Sequence, residues 1–126
     1  MAPSGSLSTV KVTYFDNEAV RRAVDEYARA LSERHPELEE VILFGSLVRG
    51  TAVPGSDVDL MLILSGSDRP FRERIPEFLP GNFPVGVDVF PYRRDEIERM
   101  KTDGNAFVLA AIREGATVFR RNRSGG

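Results

Sequence analysis

The sequence predicts an α/β (α+β) fold: a single domain with a mixed sheet of about four to five strands and helices packed mainly on one face. Three observations predict it. The apolar runs "EVILF" (40–44), "VDLMLIL" (58–64) and "VGVDVF" (85–90) have strand length and β-forming residues. Around them, apolar residues recur at helical spacing. The chain has 126 residues and no internal repeat or linker, which suits one compact unit.

Residues 1–8 are small and polar and read as a flexible lead-in. The domain itself spans 9–119. "TVKVTYF" (9–15) alternates and predicts a short edge strand. Asp16 or Asn17 then caps a helix in which Val20, Val24, Tyr27 and Leu31 recur. That helix ends near His35, because the residue before Pro36 avoids helical backbone. The strands at 40–44 and 58–64 follow. "SGSDRPFRERIPEFLPGNFP" is rich in turn formers, with Pro76 interrupting any helix there. After the strand at 85–90, "RRDEIERMK" forms a short helix with Asp95 as its cap. Residues 106–114 form another, closed by Gly115. "ATVF" supplies a last strand, and 120–126 form a flexible basic tail.

Composition narrows the function classes. Hydrophobic residues make up 41% and charged residues 29%, ordinary for a globular protein. A formal charge of −2 argues against a nucleic-acid-coating role. The absence of cysteine excludes disulfides and thiolate metal sites. "MAPSGSLSTVKV" has no basic region followed by an apolar run, and no run approaches the roughly 20 apolar residues that span a bilayer. The expectation is a cytoplasmic protein without a membrane partner.

The chemistry concentrates in "LFGSLVRGTAVPGSDVDLMLIL" (43–64). Side chains alternate along a strand, so Asp57 and Asp59 point the same way, about 6.6 Å apart at roughly 3.3 Å per residue. On 85–90, Asp88 shares a face with Gly86 and Phe90. If the two strands are neighbours, Asp88 stands beside the Asp57/Asp59 pair. Three carboxylates so placed repel one another unless cations sit among them. Hard oxygen donors suit Mg²⁺ or Mn²⁺, and such groups bridge two metals about 3.5–4 Å apart. The Phe44-Gly45-Ser46 turn fits beside them: glycine admits a phosphate close to the backbone, and Ser46 adds a hydroxyl donor.

Gly45-Ser46, ten residues, then Asp57-Val58-Asp59 resembles the signature of the DNA polymerase β-like nucleotidyltransferase superfamily, above all its minimal nucleotidyltransferase branch. The likeness extends over most of 17–119 and includes a third strand aspartate, Asp88. It implies transfer of a nucleoside monophosphate from an NTP, ATP by the family's habit, with two Mg²⁺ (or Mn²⁺) per site. By position, Asp57 and Asp59 would bind both metals. Asp88 would bind the catalytic metal and help deprotonate the attacking hydroxyl. Gly45 and Ser46 would bind the β- and γ-phosphates, with Arg49 near the triphosphate. The chain departs from the pattern at Val48 and at the proline-broken segment 70–84.

Plainer roles compete. Turn capping would explain Asp57 after Gly-Ser, but leaves Asp59 and Asp88 without a reason. Arg49 could equally be solvated. His35, the only histidine, reads as structural, and the "RRNR" tail as solvated. Nothing in the chain is long enough to add an acceptor domain. Three readings therefore stand. The first is an adenylylating enzyme acting on a partner, as similar minimal proteins act as antitoxins on a tyrosine of a small helical HEPN-type toxin. The second is a binding module that neutralises a partner. The third is a small-molecule or RNA-end transferase whose acceptor site is built in a homo-oligomer.

Overall fold

Alternate residues of the two central strands are apolar in both phases, so neither face of the sheet can be left to water. The computed structural model describes residues 7–45, 48 and 57–122, with 7–17 described by backbone alone. Helix α1 (Leu7–Arg34) leads into β1 (Leu38–Phe44) and then β2 (Val58–Leu64). Next come α2 (Phe71–Phe78), β3 (Val87–Arg93), α3 (Arg94–Thr102), α4 (Ala106–Glu114) and β4 (Ala116–Arg120). Among the described residues, the sheet has four strands in the order β3-β2-β1-β4. β1 is antiparallel to β2 and to β4, and β2 is parallel to β3. The mixed α+β architecture is thus the one expected.

Helices cover both faces rather than mainly one. Val20, Val24, Ala28 and Leu31 of α1 pack with Phe78 of α2 on Val41, Leu43, Leu60, Leu62 and Val89. On the opposite face, Ile97 of α3 and Val108 and Ala111 of α4 pack on Ile42, Phe44, Met61 and Ile63. Burial of both faces explains why β2 is a continuous apolar run after Asp59.

Several elements differ from their sequence reading. Residues 9–15 belong to α1 rather than to an edge strand, and Asp16 and Asn17 lie inside that helix rather than at its cap. Extending a helix already anchored to the sheet is far easier than nucleating one, so propagation overrides local β propensity here. Pro76 lies within α2 and does not prevent it. The helix survives because Phe78 is buried and the Arg74 guanidinium, 1% exposed, binds the carbonyls of Arg69 and Pro91 and the Glu96 carboxylate. β3 runs on through Pro91 to Arg93, which is tolerable because β3 is a sheet edge. The α3 cap is Arg93, whose amide donates to Glu96 at 2.8 Å, while Asp95 pairs with the Arg93 side chain instead.

The α4 helix matches its expected span, with Asn105 capping Val108 and Gly115 closing it. A Cβ at Gly115 would meet the Ala111 carbonyl and the Ile42 side chain, so the helix-to-strand joint is packed against β1. At the C-terminal end, Arg120 closes β4. Arg121 donates to the carbonyls of Ser32, His35 and Leu38, a cation at the C-terminus of α1. The first two residues of the expected tail are therefore built into the fold. His35 packs on Phe78 and pairs with Glu37 at 3.1 Å, consistent with a structural role.

Candidate active site

One end of the sheet gathers the C-terminus of β1 and the N-termini of β2 and β3. Antiparallel pairing sets Phe44 opposite Asp59, and parallel pairing sets Asp59 opposite Asp88. Two carboxylates from strands remote in sequence therefore share one register position. They also share a face, with Asp59, Met61 and Ile63 alternating on β2 toward the α3/α4 layer. Asp57 stands immediately before β2, where the Val58 amide already donates to the Gly86 carbonyl at 2.8 Å. Asp57 and Asp88 are exposed, and Asp59 is half-buried.

Two glycines make room for these side chains. Gly45 has φ +91°, and a Cβ there would run into the Asp59 carboxylate. A Cβ at Gly86 would run into the carboxylate of Asp57. Gly86 was read from the sequence only as a neighbour of Asp88. Its spacing function is visible once β2 and β3 are known to be parallel partners.

Of the remaining expected site residues, Ser46 and Arg49 lie outside the described residues. The donor set at 57, 59 and 88 is purely carboxylate and suits a hard divalent cation. Among the described residues, the group whose ligand atoms fall within 4.8 Å of one another is His35, Glu37 and Glu77, far from this sheet end in sequence. The three aspartates are thus neighbours that a cation would still have to draw together.

Beside Gly45 and Asp59 lies an open pocket of about 210 Å³, walled by Phe44 and by Phe107, Ala110 and Glu114 of α4. Phe107 makes an edge contact with Phe44 at 5.4 Å and a tilted one with Phe90 at 5.1 Å. The sequence reading passed over this residue. Its signal was position: two residues after the Asn105 cap, on the helix that closes over the strand ends.

Further along β3, burial and then the Glu96 carboxylate raise the Tyr92 hydroxyl above its ordinary value, so it stays protonated at neutral pH. The hydrogen bond from Arg74 lowers Glu96 below the usual carboxylate range.

A helix-flanked mixed sheet, with carboxylates paired across parallel strands beside a left-handed glycine, defines the class of fold and marks the sheet end where its polar side chains gather. Comparison with known proteins gives the family. Residues 24–108 match the nucleotidyltransferase domain family. The chain belongs to that family.

A Methanocaldococcus jannaschii protein, provisionally named protein adenylyltransferase MJ1305, is 30% identical over 84 residues, 60% of this chain and 55% of its own. The chain thus spans about half the length of that relative. Among solved structures, a Sulfolobus solfataricus protein provisionally named a nucleotidyltransferase superposes with TM-score 0.61 at 22% identity, covering 85% of this chain and 86% of its own. A chain from the crystal structure of a toxin–antitoxin with AMP-PNP gives TM-score 0.52 at 16% identity, covering 79% and 76%. Both establish likeness of fold. No helix among the described residues is long and apolar enough to cross a membrane.

Proposed function

We propose that this chain transfers AMP from ATP to a hydroxyl group on a partner protein. The observation that carries the reading is the Asp59–Asp88 register pair, with Asp57 two residues earlier and Gly45 beside it. The acceptor oxygen attacks the α-phosphorus, the bond from that phosphorus to the β-bridging oxygen breaks, and pyrophosphate leaves. Asp88, the outermost of the three on the edge strand, takes the acceptor proton. Asp57, Asp59 and Asp88 would hold Mg²⁺ or Mn²⁺, which would neutralise the triphosphate charge. Gly45 leaves space for a phosphate at the backbone, and Ser46 and Arg49 follow it in sequence as further phosphate ligands.

The fold likeness to a chain of a toxin–antitoxin, and the name of the archaeal relative, support protein adenylylation. The finer reading is an antitoxin that adenylylates a tyrosine of a small helical HEPN-type toxin. Calorimetric titration of ATP, with Mg²⁺ and with EDTA, tests the first step. Binding should require the metal and fall below detection in Asp59→Asn. Incubation of the partner with α-labelled ATP should then label it and release pyrophosphate. Metal-independent binding, or unchanged binding by Asp59→Asn, would sink the proposal.

A further inference from the structure

Resting on that reading, we infer that Phe107 is the nucleobase shelf of the site, taking the purine of the bound nucleoside triphosphate against its exposed ring. Phe107 is 42% exposed, one of the few large apolar side chains among the described residues so open to water. It is nonetheless held in place. The Asn105 side chain accepts from the Val108 amide at 3.0 Å and fixes the first turn of α4. Phe44 and Phe90 grip the ring from the sheet side. An aromatic ring that is held on one side and bare on the other is what stacking requires.

The position of the pocket decides what stacks there. Gly45 and Asp59 form its inner wall, so anything seated in it is continuous with the phosphate and metal end of the site. With strand order β3-β2-β1, the pocket lies on the β1 side of Asp59, and Asp88 on the other. An acceptor hydroxyl must reach Asp88 and so approaches from the β3 side. The β1 side is left for the far end of the nucleotide. A volume of about 210 Å³ is below the roughly 300–1,000 Å³ of sites that enclose a drug-sized ligand, and is on the scale of one heterocycle. Ala110 and Ala111 offer a small-residue wall against which a flat ring can lie.

The test uses two variants and two ligands. The chain has no tryptophan, so Phe107→Trp installs a single fluorophore at the shelf. Saturating Mg-ATP should quench and shift its emission, while magnesium tripolyphosphate, which carries no base, should not. Phe107→Ala should weaken ATP binding about ten-fold, within the range a lost base–aromatic stack produces, and leave tripolyphosphate binding unchanged. Circular dichroism confirms that both variants fold. Wild-type ATP affinity in Phe107→Ala, or emission from Phe107→Trp that ignores ATP, would overturn the shelf and leave the transferase reading standing. Slower transfer with unchanged ATP affinity would also overturn it, assigning the ring to the acceptor. If the wild-type chain binds neither ATP nor tripolyphosphate, the nucleotide reading and the shelf fall together.

Discussion

Gly45 and Gly86 each protect one aspartate, but by different physics, which makes them a discriminating pair. Gly45 combines a left-handed φ of +91° with contact to Asp59, so an added methyl there strains the backbone and displaces the carboxylate together. Gly86 has no positive φ, so alanine there costs little in backbone and acts mainly by pushing Asp57 aside. Gly86→Ala should reduce adenylyl transfer about ten- to hundred-fold, the order expected when a reacting group moves by an ångström, with a melting temperature close to wild type. Transfer at the wild-type rate would show that the position of Asp57 is unimportant. At this scale the sequence was informative where chemistry is repetitive: strand alternation put Asp57 and Asp59 on one face, and the parallel pairing of β2 with β3 supplies the condition on which Asp88 stands beside them. It was silent on Gly86 and Phe107, because both act through neighbours that only strand order and helix placement bring near.

Between elements, the polar link from Arg74 to Glu96 ties α2 to the junction of β3 and α3. The guanidinium is almost fully buried and is met by both Glu96 oxygens, at 2.8 and 3.1 Å. Its hydrogen bond lowers the Glu96 carboxyl below its ordinary value of 4.5, so the pair contributes stability above that value and loses it as pH falls through the folded-state value. Glu96→Gln leaves a buried cation half-satisfied and should cost about 3 kcal/mol at pH 7 by urea unfolding. The variant should also lose part of the acid-side slope below about pH 4.5, and a slope equal to wild type would refute the linkage. This link accounts for two features hidden from local propensity. The Pro76 helix and the strand through Pro91 are both held by Arg74, and an arginine at position 74 gives no sign in the sequence that it will be buried. The missed N-terminal half of α1 has a similar cause. "TVKVTYF" reads as strand by itself, but it continues a helix whose later turns are fixed on the sheet by Val20, Val24 and Leu31.

Across the whole molecule, stability and site are separated in space. The core is the middle of β1 and β2, closed on one face by α1 and α2 and on the other by α3 and α4. The aspartates lie at one end of this sandwich, and the exposed side chains of Asp57 and Asp88 contribute little to packing. Removing one negative charge from that end should therefore relieve repulsion rather than weaken the fold. Asp57→Asn should melt at the wild-type temperature or slightly above it in metal-free buffer. Ligand linkage gives the complementary expectation. A ligand at 100 times its Kd that binds only the folded state adds about 2.7 kcal/mol, which for a domain of this size raises the melting temperature by about 10 °C. Mg-ATP should produce a shift of that order in wild type and none in Asp57→Asn, as read by a thermal melt at fixed protein concentration. If Asp57→Asn unfolds in metal-free buffer, the carboxylate is a turn cap that the fold needs. If it keeps the Mg-ATP shift, the metal and the triphosphate are held elsewhere.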